Sequence, residues 1–205
     1  MRRAFIAAAV LGGAALFLVA PATGRAQTNG EKVHIEAWAV NMSNIATGAN
    51  QIMMVDIDQW STAAERSRLI DTMLNKGQDA LLDALQDTSK KGRMWFPELK
   101  GPDPTHARLG YPLHYAWQSP LPEGGRRIVF ATDRPMTFWE ARNQPRTVNY
   151  PFTLAEIHVD KDGNGEGKLS IATKIKFDKA DNLLVLENYT SEPVRLQKVK
   201  VTVKK

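Results

Sequence analysis

The sequence predicts an α+β domain that is mainly antiparallel β: a β-sandwich or partly open barrel of about nine strands, with a two-helix insertion after the second strand. Three observations lead there. Apolar and polar residues alternate with a period of two along several segments after residue 33. Turn signals rich in Gly, Pro, Asn and Asp separate those segments. One stretch, 62–86, instead carries apolar residues at helical spacing.

In the first alternating segment, 33–40, Val33, Ile35, Ala37 and Ala39 fall on one side and His34, Glu36, Trp38 and Val40 on the other. Residues 41–50, rich in Asn, Ser, Thr and Gly, read as a turn region. Residues 51–60 read as a second strand, with Asp56 and Asp58 on the same side. Thr62-Ala63-Ala64-Glu65 then has capping-box spacing: the Thr62 hydroxyl accepts from a first-turn N–H and Glu65 reaches back. Leu69, Ile70, Met73 and Leu74 share one helical face, Gly77 supplies a left-handed stop, and 78–86 resumes as a second short helix. Such a pair could be a DNA-reading helix-turn-helix, but its second helix lacks basic residues, so packing onto a sheet is the stronger reading.

Strands follow at 93–96, 113–118, 127–132, 152–159, 169–177, 183–188 and 194–203. Leu169, Ile171, Thr173, Ile175 and Phe177 alternate with Ser170, Ala172, Lys174 and Lys176, as expected of a sheet with one solvated face. In the last strand the apolar side changes from even positions (Val194, Leu196) to odd ones (Val199, Val201, Val203), which predicts a β-bulge near Gln197-Lys198.

The N-terminus sets the compartment. Arg2-Arg3, an apolar run over 4–20 and the small-residue stretch ending Gly24-Arg25-Ala26 follow the order of a secretory signal, with processing expected after Ala26 and an alternative point after Ala22. The arginine pair partly matches a twin-arginine signal, but the flanking polar and basic residues are absent, which favours the general secretory route. The expected organisation is a signal peptide at 1–26, a flexible tail at 27–32 and one domain from 33 to 205, periplasmic or secreted and without a stable membrane anchor. With no cysteine in the chain, disulfides, thiol catalysis and lipidation at a cysteine are all excluded. Removing Arg2, Arg3 and Arg25 leaves 24 basic against 22 acidic residues, a balance of +2 that argues against a dedicated nucleic-acid surface.

Two segments carry candidate chemistry. Asp160, Asp162 and Asn164, with Gly165 in sixth place, match the start of a calcium loop, because a hard cation needs several oxygens wrapped tightly around it. Ile171 stands where the closing glutamate belongs, so a glycine-rich hairpin turn is the stronger reading and calcium the lesser one. Arg126 and Arg127 precede an apolar strand that ends at Asp133 and Arg134, with Trp139 and Glu140 close behind. This composition can line a polar pocket, although local pairing of Asp133 with Arg134 and core packing of the aromatics is the stronger reading. The four histidines, His34, His106, His114 and His158, show no helical metal-ligand spacing, and no nucleophile elbow, phosphate loop or dinucleotide fingerprint occurs.

Trp60-Ser61-Thr62 with Glu65-Arg66, the segment 76–82, Gly125-Arg126-Arg127-Ile128 with Thr132-Asp133-Arg134-Pro135, and the segments 150–154, 163–170 and 186–194 together resemble a set of secreted bacterial proteins without an assigned activity. That resemblance implies a single exported domain and carries over no catalytic residue. The expected function is non-catalytic binding of a ligand or an envelope partner. The alternative is a metal-independent hydrolase with a site around Asp133 and Arg134, using an acid such as Asp133 or Glu140 beside Arg126, Arg127 or Arg134.

Overall fold

The computed structural model describes residues 16–17, 30–42, 50–97, 110–134, 152–178, 183–187 and 194–204. Ten strands and two helices occur among them, in the order β1 (Leu16–Phe17), β2 (Lys32–Val40), β3 (Asn50–Ile57), α1 (Ala63–Lys76), α2 (Gln78–Gln86), β4 (Gly92–Trp95), β5 (Tyr111–Pro120), β6 (Arg126–Thr132), β7 (Phe152–Val159), β8 (Asn164–Asp178), β9 (Leu183–Glu187) and β10 (Val194–Lys204).

Every pairing is antiparallel, and the sequence β2-β3-β4-β5-β6-β7-β8 closes through β10, which lies between β8 and β2. The result is a closed eight-stranded barrel, where the sequence predicted a sandwich or a partly open barrel. Closure follows from β8, whose fifteen residues serve three partners: its first part is a barrel stave between β7 and β10, while 174–178 run on to pair with β9. Leu16 and Phe17 pair with Val185 and Leu184 of β9, on the ribbon outside the barrel.

The alternation read from 33–40 is realised directly, since Val33, Ile35, Ala37 and Ala39 all point inward and are fully buried. Across the barrel they meet Met53, Val55, Ile57, Met94, Leu113, Ile128, Phe130, Ile157, Leu196 and Val201 in one apolar cluster. Small residues such as Ala116 and Ala155 offset the large Phe96 and Phe130, as a narrow barrel requires. An apolar interior with charges outside is the reverse of a lipid-facing barrel. Among the described residues no helix is long and apolar enough to cross a membrane.

Irregularities in register, among them those of β10 and β5, let this pattern fit. In β10 the register steps between Gln197 and Lys200, and Lys198 sits at φ +49°, which returns Val199 and Val201 to the inside and realises the expected bulge. In β5 a second bulge between Leu113 and Tyr115, which the sequence reading missed, turns both His114 and Tyr115 outward while Leu113 and Ala116 remain inside.

After β3, which ends at Ile57 rather than reaching Trp60, the chain crosses the barrel end. Trp60 is buried there and its indole N–H donates to the Glu31 carbonyl at 2.8 Å. Ser61 locks onto β5: its N–H donates to the Ala116 carbonyl and its hydroxyl accepts from the Ala116 N–H. The capping box is present, with Glu65 N–H to Thr62 Oγ1 at 3.1 Å and Thr62 N–H to Glu65 Oε2 at 2.7 Å. Gly77 has φ +86° and ψ −172°, an extended glycine-only conformation rather than the left-handed helical stop expected, and it both ends α1 and starts α2. The helical pair lays Leu69, Met73, Leu81 and Leu85 over Phe152 and Tyr115 on the outside of the barrel.

Candidate functional site

The constellation expected around Arg126, Arg127, Asp133 and Arg134 is divided by β6. The first two residues stand at its start and the last two just past its end, about 20 Å apart along a strand of this length. Arg126 donates to Glu31 Oε2 at 2.8 Å and to Gln118 Oε1 at 2.9 Å. Arg127 holds Glu156 with two hydrogen bonds, of 2.7 and 3.1 Å, and His158 Nε2 lies 2.8 Å from the same carboxylate. Burial alone would push the Glu156 carboxyl up; Arg127 and His158 outweigh it and hold the group below its ordinary value. Trp139 and Glu140 lie outside the described residues.

At the far end of β6, Asp133 is joined by a residue the sequence reading had set aside. The β5 bulge points His114 beneath the end of α2, where its Nδ1 lies 2.8 Å from the Thr88 carbonyl and its Nε2 3.9 Å from Asp133 Oδ1. A carbonyl only accepts, so Nδ1 is the donor. Asp133 Oδ1 is buried without a hydrogen-bond partner among the described residues, and Arg134 Nε stands 3.6 Å from it. The Arg134 carbonyl accepts from the Thr132 and Thr153 hydroxyls. No period in 111–118 signals the bulge, so His114 was not legible as Asp133's neighbour.

The oxygens of the calcium-like loop are engaged within a turn. Asp160 Oδ1 accepts from the N–H groups of Asp162 and Asn164, both at 2.9 Å, and Gly163 at φ +79° closes the loop. The Lys200 ammonium donates to Asn164 Oδ1 at 2.9 Å and to the Asp162 carbonyl at 3.2 Å, so a cation of the chain's own serves these oxygens. Among the described residues no three His, Asp or Glu side chains gather as a metal site. Two shallow depressions of about 430 and 470 Å³ flank this turn at the barrel mouth, beside Arg126, Lys161 and Glu123.

A further feature lies on the opposite side of the barrel from the helices, on the outer face of β10, β2, β3 and β4. Register places Trp38 beside Ile52, then Glu36 beside Met54 and Trp95, then His34 beside Asp56 and Arg93. Trp38 is 40% exposed, a large apolar side chain at the surface of a strand whose other face is fully buried. Each tryptophan carries a cation: Lys198 Nζ is 5.5 Å from the Trp38 ring centre and the Arg93 guanidinium 4.4 Å from that of Trp95. Asp56 anchors one corner, accepting from His34 Nδ1 at 2.7 Å and pairing with Lys204 at 2.7 Å. Desolvation would raise its pKa, but Lys204 and His34 reverse the direction and leave it lowered.

These four strands present six basic residues outward, Lys32, Arg93, Arg195, Lys198, Lys200 and Lys204, against Glu36 and Asp56, with Asp58 just past β3. Against those three acids the face therefore carries an excess of three positive charges. The sequence held one signal for it, a tryptophan on the polar side of the first alternating strand. The basic contribution of β10, more than 150 residues away, was not visible locally. Comparison with family models, with curated proteins and with solved structures finds no match to this chain.

Proposed function

We propose that this chain is an exported, non-catalytic binding domain whose interaction surface is the outer face of β10, β2, β3 and β4. One observation carries the reading: Trp38 stands exposed among cations on a face with no covering element among the described residues, whereas the other side of the barrel is clad by α1 and α2. Apolar patches rimmed by polar residues mark interaction sites. A filled interior supports the same conclusion: the inward side chains of all eight described barrel strands form one continuous apolar cluster.

The separation along β6 takes Arg126 and Arg127 away from Asp133, which weakens the hydrolase alternative; of its three arginines Arg134 stays beside the acid, at 3.6 Å. Export rests on the N-terminal signal. Processing after Ala26 would remove Leu16 and Phe17, which belong to the β9 ribbon and to none of the eight barrel strands.

Hydroxyl-radical footprinting with residue-level mass spectrometry tests the surface. On adding an envelope fraction to the mature protein, Trp38, Met54 and Trp95 become protected. Protection confined to the helical pair, or to the 121–125 and 160–163 turns, overturns the assignment.

A further inference from the structure

We infer that the occupant of this face is an anionic polysaccharide, a chain of sugar rings bearing carboxylates; the inference rests on the binding face just described and names its ligand class. Three features of the face converge on it. Trp38 and Trp95 are two strands apart and offset by two residues, about 12 Å from strand spacing and rise. That span exceeds a single ring, so a polymer and not a monomer contacts both. An indole offers its electron-rich face to the C–H faces of a saturated ring, the geometry in which sugar rings stack.

The cations decide the charge of the ligand. Lys198 and Arg93 lie against the two indoles themselves, so a ring stacked on either tryptophan brings its substituent within reach of an ammonium or guanidinium. A repeating unit of ring plus acid matches a repeating pair of aromatic plus base. Lys200, exposed on β10 in the register row of Glu36, Met54 and Trp95, adds positive charge to the same face. Surface pairs such as Lys200 with Asn164 are worth little in water, and these cations exchange partners at small cost. The surroundings of an exported protein supply glycans rather than intracellular polymers.

The test titrates the mature protein, following tryptophan fluorescence and binding heat, with polygalacturonate, dextran as the neutral counterpart, a thymidine oligonucleotide and phosphatidylglycerol vesicles. Polygalacturonate binds, its affinity falls steeply with added salt, and Trp38→Ala weakens it about tenfold, as the loss of a stacked, cation-flanked ring implies. Lys198→Gln with Lys200→Gln weakens it and flattens the salt dependence. Leu74→Ser, on the exposed side of α1, leaves it unchanged, and circular dichroism melts confirm that each variant is folded.

Equal binding of dextran overturns the anionic part. Binding of the oligonucleotide or the vesicles through Trp38, without polygalacturonate, overturns the glycan and leaves the face standing. Failure of every probe overturns the inference while footprinting decides the face. Polygalacturonate binding that Trp38→Ala does not change overturns both.

Discussion

The barrel interior and the seam under the helical pair are both hydrophobic, yet they are held in different ways. The interior is one continuous cluster fed by all eight barrel strands, and its members are almost without exposure. The seam buries Leu69, Met73, Leu81, Leu85 and Phe152 and is otherwise fastened by polar clamps. Lys91, itself buried, donates to Glu65 at 2.7 Å; Arg68 reaches the Ala84 carbonyl and the Thr88 hydroxyl; Arg66 lies 5.2 Å over Trp117. Burial scales with area and tolerates small shifts, whereas clamps depend on particular atoms staying paired. The difference teaches that this fold is a robust barrel with a conditionally attached cover, the arrangement in which one unit opens before the other.

The largest effect separates the two regions directly. Phe130→Ala empties a fully enclosed site and costs about 4 kcal/mol, lowering the denaturant midpoint and hydrogen-exchange protection of barrel and helices together. Leu85→Ala costs about 3 kcal/mol locally: α2 amides lose protection while β2 and β3 amides keep theirs. Equal loss of protection in both elements would mean that barrel and cover unfold as one unit.

A smaller effect sharpens the role of the clamps. Glu65→Gln keeps a side chain able to complete the capping box but removes the charge facing buried Lys91, costing about 2 kcal/mol after allowance for Glu65's partial exposure. Burial would raise the Glu65 pKa, but Lys91 and the Thr62 backbone and hydroxyl hold it below the usual 4.5. A lowered native value means that the stabilisation is complete above pH 4.5 and is lost as pH falls through the lowered value. The wild-type cover therefore loosens in acid and the variant's responds less; identical acid profiles would remove Glu65 from the account.

The smallest effect appears in alkali. Tyr115, packed under the helices, is pushed up to about 12 by burial, against the opposing charges of Arg66 and Arg127. A raised native value means stability is undiminished below pH 10 and declines as pH rises towards 12. Ultraviolet titration should show one tyrosine ionising near 12, absent in Tyr115→Phe. If every tyrosine ionises near 10 in the folded protein, the seam is wetter than its packing indicates.

Legibility followed the range of the interaction. The side of Val33, Ile35, Ala37 and Ala39, the Thr62–Glu65 cap and the β10 bulge all appear within a few neighbouring residues, and each could be read before any coordinates. His114 could not, because its place depends on a bulge without a period and on Thr88 arriving from another element. The candidate pocket of Arg126, Arg127, Asp133 and Arg134 failed to assemble for a related reason. Residues close in sequence along an extended strand are carried apart at about 3.3 Å each, so proximity in the chain is distance in space.

What the sequence determined by itself was therefore local: which residues face inward, where the helices begin, and that the last strand must shift its register. Tertiary structure alone decided that β10 closes the barrel between β8 and β2, and so brings Lys198 and Lys200 alongside Trp38. Periodicity is set by the geometry of one strand, but strand partnership is set by loop closure and by the mutual filling of a shared interior. A segment's own residues do not encode these alone.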